Sequence, residues 1–190
     1  DMAKKIYIKH GLLTPKHELL RLEDDHYTKL IRIFRNYLHP VIVKPVSGGS
    51  SIGMRLAHTF DELKESVADA FDHAERVLVE ELIKGKEATC GVVENARGER
   101  LYSLLPVEIR KSGHLWGYDD KYSGKTHEIC PGNFTIAEKS AIEDMAKKAH
   151  EALGLRHYSR SDFMIAPKGK IYILETNSLP GFTTESLFPK

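Results

Sequence analysis

The chain is poor in cysteine and tryptophan and has no excess of either charge. Its two cysteines, Cys90 and Cys130, form no Cys-x-x-Cys pair. Reduced thiols are therefore expected rather than a disulfide framework, and with them a cytoplasmic location. No apolar run approaches the roughly 18 residues of a membrane span, and no signal-peptide pattern opens the sequence. The formal net charge of +1 gives no global pull toward nucleic acid or membrane, so any anion binding must be local. Ten histidines are scattered without a His-Glu-x-x-His or a Ser/His/Asp spacing, which sets zinc and triad chemistry aside. There is no G-x-G-x-x-G, no P-loop order, no internal repeat and no low-complexity tract.

What remains is ordinary for a soluble globular protein: 41% hydrophobic and 29% charged residues in a 190-residue chain, enough for one domain or two small lobes. The sequence opens at Asp1 and stops at Pro189-Lys190, and both ends read as cut. Residues 1–10 read as a helix ending at Gly11. Residues 18–38 are amphipathic and charge-rich without an assignable motif. Val41–Pro45 reads as a short buried strand halted by proline, and 47–53 as a flexible polar loop. Thr59 to about Asp72 and Thr135 to Leu153 carry helical periodicity, each opened by a Thr-x-x-Glu capping box, with Gly154 stopping the second. Val77–Leu82 reads as a strand, 88–94 with 100–109 as a hairpin, and 112–134 as a long polar loop. Helices mixed with hairpins, without strict βαβ alternation, predict an α+β fold with antiparallel sheets.

Chemistry concentrates near the end of the chain. Arg160-Ser161-Asp162 runs into Phe163-Met164-Ile165-Ala166. Ile171-Tyr172-Ile173-Leu174 then runs into Glu175-Thr176-Asn177. Pro167-Lys168-Gly169 between them gives strand, turn, strand. A two-residue turn at Lys168-Gly169 sets Asp162 opposite Glu175 and Arg160 opposite Asn177, all on one face. Two opposed carboxylates repel and weaken a sheet. A divalent cation between them removes that penalty, and Mg²⁺ is held by one or two carboxylates together with substrate phosphates. Arg160 beside the acids can neutralise a developing oxyanion.

Three further segments each admit a functional and a plain reading. Lys44 followed by Ser47-Gly48-Gly49-Ser50-Ser51-Ile52-Gly53 suits phosphate, through backbone N–H groups and a point charge, or is a surface connection. Glu80-Glu81-Leu82-Ile83-Lys84-Gly85-Lys86-Glu87 can offer backbone groups to a purine edge and a carboxylate to a ribose, or is an exposed charged turn. In Pro180–Leu187, Gly181 could present an N–H to an oxyanion and Ser186 could bind a carboxylate, or the segment is a turn into a capped helix.

Taken in order, the motifs resemble the D-alanine–D-alanine ligases of the ATP-grasp superfamily. The matching text is Val-Ile-Val-Lys-Pro at 41–45, Gly-Ser-Ser-Ile-Gly-Met at 49–54, Val-Leu-Val-Glu-Glu at 77–81, Asp-Lys-Tyr at 120–122 and Cys-Pro at 130–131. Ser-Arg-Ser-Asp-Phe-Met at 159–164 and Glu-Thr-Asn-Ser-Leu-Pro-Gly-Phe-Thr at 175–183 complete it. The resemblance implies an ATP-grasp fold with ATP between two antiparallel sheets. It divides the chain into an N-terminal helix and connector (1–40), a small lobe (41–84) and a large lobe (85–190).

Residue by residue, it implies that Lys44, Ser50, Ser51 and Lys121 meet the ATP phosphates. Glu80 and the Leu82/Ile83 backbone would read adenine, Met164 would line its pocket, and Glu87 would bind ribose. Asp162, Glu175 and Asn177 would hold Mg²⁺, usually as two ions, with Mn²⁺ as a substitute. Arg160 and the Gly181 N–H would stabilise the tetrahedral intermediate. Tyr122 belongs to the closing loop, and Ser186 with Leu187 would receive the second D-alanine.

The implied activity is ATP-dependent synthesis of D-alanyl-D-alanine through an acyl phosphate, for peptidoglycan precursors. Its substrates are D-alanine and ATP; a homodimer is implied, with no nucleic acid or membrane partner. The resemblance also implies a domain-sized N-terminal segment and a first ATP-binding lysine ahead of Asp1, with Lys4 or Lys5 nearby. The chain alone is thus expected to bind Mg-ATP and be a poor catalyst. The alternatives are a ligase taking D-lactate or D-serine as acceptor, an ATP-grasp phosphotransferase, and a non-catalytic nucleotide-binding fragment.

Overall fold

Short apolar runs, such as Val41-Ile42-Val43 and Val77-Leu78-Val79 in one and Phe163-Met164-Ile165 in the other, build two antiparallel sheets, each with its own apolar cluster. The computed structural model describes residues 2–46, 53–111 and 126–181. Their order is α1 (Met2–Lys9), β1 (His17–Arg21), α2 (His26–Asn36), β2 (Val41–Pro45), β3 (Arg55–Ala57), α3 (Phe60–Phe71), β4 (Arg76–Glu81) and β5 (Lys86–Ala96). There follow β6 (Glu99–Ser103), β7 (Val107–Lys111), β8 (Thr126–Ile129), α4 (Ile136–Ala152), β9 (Tyr158–Ile165) and β10 (Ile171–Asn177). The chain forms two compact units. One is Pro15–Leu82. The other joins Met2–Thr14 to the described parts of Ile83–Ser112 and Thr126–Lys190. Among the described residues no helix is long and apolar enough to cross a membrane.

The first unit is a four-stranded sheet in the order β1-β4-β2-β3. Val41, Val43, Val77 and Val79 face Leu63 and Val67 of α3, with Leu30 and Ile33 of α2 in the same cluster. Alternation sends Ile42, Lys44, Leu78 and Glu80 to the other face. β1 was not evident in the sequence: His-Glu-Leu-Leu-Arg lacks β-branched residues, and its pairing with β4 (Leu19 opposite Leu78) overrides that weak propensity. Thr59 caps α3, accepting from Glu62 N at 3.1 Å. Glu62 reaches back one residue further than a capping box requires, to His58 N at 2.7 Å.

The second unit is a sheet ordered β10-β9-β5-β7-β8, with β6 also on β5. Residues 99–111 run antiparallel along one edge of β5, as the expected hairpin required, but in two pieces. Ser103 lies opposite Val92 and Val107 opposite Thr89, so the register gains one residue across Leu104-Leu105-Pro106. Pro106 has no N–H to keep a continuous ladder. α4 packs Ile142, Ala146 and Ala149 against Cys90, Phe163 and Ile173. Its capping box is complete: Glu138 N donates to Thr135 Oγ1 at 3.2 Å and Thr135 N to Glu138 Oε2 at 2.8 Å. Gly154 ends it at φ +64°, with Gly154 N to Glu151 O and Leu155 N to His150 O forming a Schellman pair. Cys90 is buried, and burial pushes its thiol up; Cys130 is exposed, and neither forms a disulfide.

Candidate functional site

The closing hairpin reaches the expected pairing by an unexpected route. Pro167 cannot donate the N–H that a two-residue turn asks of its flanking pair. The loop therefore closes one residue earlier, with Ala166 N donating to Lys170 O at 2.8 Å and Gly169 N to Ala166 O at 2.8 Å. Near the loop Ile165 faces Ile171 and Phe163 faces Ile173. An irregularity at Leu174 then absorbs one residue, so that Asp162 faces Glu175, Ser161 faces Thr176 and Arg160 faces Asn177. This bulge switches the alternation. Ile171 and Ile173 point into the core, and without the extra residue Glu175 would follow them. With it, Glu175 and Asn177 lie exposed on the same face as Asp162 and Arg160.

On that face Asp162 is already tied down. Thr89 of β5, directly opposite, donates to Asp162 Oδ1 at 2.6 Å. Arg160 donates from Nε to Oδ1 at 3.1 Å and from Nη2 to Oδ2 at 3.2 Å. The Arg160–Asp162 ion pair neutralises one of the two opposed acids, while Glu175 projects toward solvent. Met164 is buried next along β9, opposite Glu87 of β5 and Tyr172 of β10. The sheet thus brings together Glu87, Met164, Arg160, Asp162, Glu175 and Asn177. Gly181, exposed, follows β10 by a few residues. Gly85 enters β5 so close to β9 that a Cβ there would lie 1.9 Å from Ile165 O.

The first unit carries a second group. Lys44 Nζ lies 2.9 Å from Glu80 Oε2. Ile42 and Glu80 are directly paired and Lys44 is one step along, so the two are diagonal neighbours on one face. Glu80 is only 2% exposed, so burying it requires a close cation. Leu82 and Ile83, half-buried, follow β4 outside regular strand. Ser50, Ser51, Lys121, Tyr122, Ser186 and Leu187 lie outside the described residues.

Lys4, already noted beside the expected first ATP-binding lysine, is buried and donates to Thr14 Oγ1 at 2.9 Å. Four groups escaped the sequence reading: Thr89, Tyr7, Thr176 and Ser161. Thr89 needed the β5–β9 register, which no local pattern carries. Tyr7 donates to Thr176 Oγ1 at 2.7 Å, and Thr176 Oγ1 lies 2.8 Å from Ser161 Oγ. Parity could have found the last two: residues alternating with site residues on paired strands meet on the opposite face. Burial raises the Tyr7 phenol to about 12, against the lowering effect of its bond with Thr176, so it stays a donor.

Residues 6–190 match the family model for the D-ala D-ala ligase C-terminus. A D-alanine–D-alanine ligase of Desulfotalea psychrophila is 38% identical over all of this chain and 59% of its own length. Among solved structures, the VanG D-Ala:D-Ser ligase of Enterococcus faecalis superposes with a TM-score of 0.87 at 30% identity, covering 98% of this chain and 54% of that one. The D-alanyl-alanine synthetase A of Vibrio cholerae gives 0.85 at 29% identity, covering 98% and 57%. The chain therefore spans less than two thirds of the length of these relatives.

Proposed function

Because the chain belongs to the D-alanine–D-alanine ligase family and has its α+β, ATP-grasp fold, we propose that it is the ATP-binding, C-terminal portion of an enzyme joining two D-alanines. The observation that carries this reading is the face shared by Arg160, Asp162, Glu175 and Asn177, in which opposed acids sit beside a guanidinium. The substrate chemistry is transfer of the ATP γ-phosphoryl group to the carboxylate of the first D-alanine. The amine of the second then attacks the acyl phosphate, releasing phosphate and D-alanyl-D-alanine.

The donor set fits Mg²⁺. Two carboxylates and an amide oxygen are hard ligands, and Mg²⁺ completes its shell with water and phosphate oxygens. Asn177, opposite Arg160 and on the same face as the two acids, supplies the third protein ligand in this reading. Two ions are proposed, with Mn²⁺ able to replace them. Bound there, the cation neutralises phosphate charge and relieves the repulsion between the two acids.

This chain's residues otherwise position and neutralise. Lys44, Ser50, Ser51 and Lys121 hold phosphates. Glu80 and the Leu82–Ile83 backbone read adenine, Met164 packs against it, and Glu87 takes the ribose hydroxyls. Arg160, drawn from Asp162, and the Gly181 N–H neutralise the oxyanion of the tetrahedral intermediate. Tyr122 closes over the site, and Ser186 with Leu187 receives the acceptor carboxylate. A cytoplasmic role in peptidoglycan precursor synthesis and a homodimeric state belong to the same proposal.

ADP release by the full-length protein tests it, measured with D-alanine, D-serine or D-lactate as acceptor and with product identification. D-Alanine-dependent release with D-alanyl-D-alanine as product is expected. Preference for D-serine, the substrate named for the Enterococcus faecalis neighbour, would move the assignment within the family. Preference for D-lactate, giving an ester and free phosphate, would do the same, whereas release that leaves the phosphoryl group on an acceptor hydroxyl, with neither amide nor ester to D-alanine, would overturn it in favour of phosphotransfer.

A further inference from the structure

Behind the acidic face, a line of hydroxyls crosses the apolar side of the same hairpin. Tyr7 of α1 is fully buried and donates to Thr176 Oγ1 at 2.7 Å; Thr176 in turn meets Ser161 Oγ at 2.8 Å, and Ser161 is 1% exposed. Their surroundings are Phe163, Ile173, Cys90 and other members of the apolar cluster. Ser161 and Thr176 face each other across β9 and β10, immediately beside the Asp162–Glu175 and Arg160–Asn177 pairs.

The placement has a purpose that packing alone does not require. A hairpin with a bulge has a neighbouring register available, and a one-residue slip turns every side chain to the opposite face. Slipped, β10 would bury Glu175 and expose Thr176. An apolar residue at 176 would favour the observed register only through its burial. A hydroxyl at 176, bonded on one side to Tyr7 and on the other to Ser161, adds directional contacts that exist in one register alone.

We propose that Tyr7, acting through Thr176 and Ser161, is a positioning residue that locks β10 to β9 in the register that holds Glu175 and Asn177 opposite Asp162 and Arg160. The inference rests on the reading of that face as the metal site. Its consequence is that removing a buried hydroxyl on the far side of the sheet loosens metal binding without touching a ligand.

The test is Mn²⁺ binding by the full-length protein in saturating ADP, followed by loss of the free-ion paramagnetic resonance signal. Tyr7→Phe, which loses one hydrogen bond, is expected to weaken binding roughly three- to tenfold, and Thr176→Val, which loses both, by at least as much. Thr176→Ser keeps the hydroxyl and is expected to stay within about twofold of the parent. Thermal unfolding by circular dichroism identifies the variants that are folded at the assay temperature. Should Tyr7→Phe fail to fold, the Thr176 pair carries the comparison. Glu175→Gln is the reference. If it weakens Mn²⁺ binding while Tyr7→Phe and Thr176→Val do not, the positioning role is overturned and the metal site stands. If Thr176→Ser loses as much as Thr176→Val, the hydroxyl is not the operative group and the proposal fails. Unchanged binding in Glu175→Gln overturns the metal site itself.

Discussion

Lys44 and Glu80 illustrate how one side chain can answer to both folding and function. The 2.9 Å pair supplies a carboxylate that is almost wholly buried with a close cation, and that cation is the lysine proposed to hold phosphate. Removing only the lysine leaves that buried charge without its ammonium. Lys44→Ala is therefore expected to cost about 2 kcal/mol, below the full buried-pair figure because the lysine is partly exposed. The double change Lys44→Met with Glu80→Gln removes both charges and should recover most of that loss. Urea unfolding measures the stability and titration calorimetry with ATP the affinity. Nucleotide binding is expected to stay weak in both variants. Recovery of affinity along with stability in the double variant would remove Lys44 from phosphate binding.

Among the elements, the β9–β10 hairpin shows both how far local pattern reaches and where it stops. The facing of Asp162 and Glu175 was legible because strand alternation and a short turn leave few registers. The loop itself was not legible. Pro167 lengthens it by one residue and Leu174 absorbs the difference, two offsets that cancel at the site. The ends of α4 were equally legible, since Thr135, Glu138 and Gly154 act through the backbone within one turn. β1 and the Thr89 bond to Asp162 were hidden, because both depend on partners tens of residues away. If Leu174 is only the absorbed residue, its deletion joins Ile173 directly to Glu175 and leaves Glu175 opposite Asp162. Mn²⁺ binding in ADP is then expected to survive that deletion within about threefold, the effect of one modest contact. Loss of binding comparable with that of Glu175→Gln would show that the bulge geometry itself is required.

For the molecule as a whole, each unit closes around its own cluster, and the second contains a titratable group inside it. His150 of α4 is 1% exposed. Its Nδ1 lies 2.8 Å from Ser159 Oγ of β9, and its Nε2 lies 3.7 Å from Glu94 Oε1 of β5. Burial pushes its pKa below the ordinary 6.5. Glu94 and Glu151 pull the other way, and Arg100 adds to the lowering. The unfolded chain thus takes up this proton at a higher pH than the folded one. Stability is expected to fall as pH drops through the ordinary histidine range, and this contribution levels off below the folded pKa. Thermal midpoints from about pH 7.5 to pH 5 should show the decline. His150→Gln should make it shallower, whereas an unchanged slope would place the effect elsewhere.

The unequal burial of the two cysteines gives the protein a built-in spectroscopic handle. A thiol-reactive dye offered to the native chain meets Cys130 at the surface, while Cys90 is shielded beneath α4 and its thiolate is disfavoured. One dye per chain therefore reports on the folded protein. Uptake of a second counts the moments when α4 lifts from the sheet that carries the proposed metal site, with no residue altered to see it.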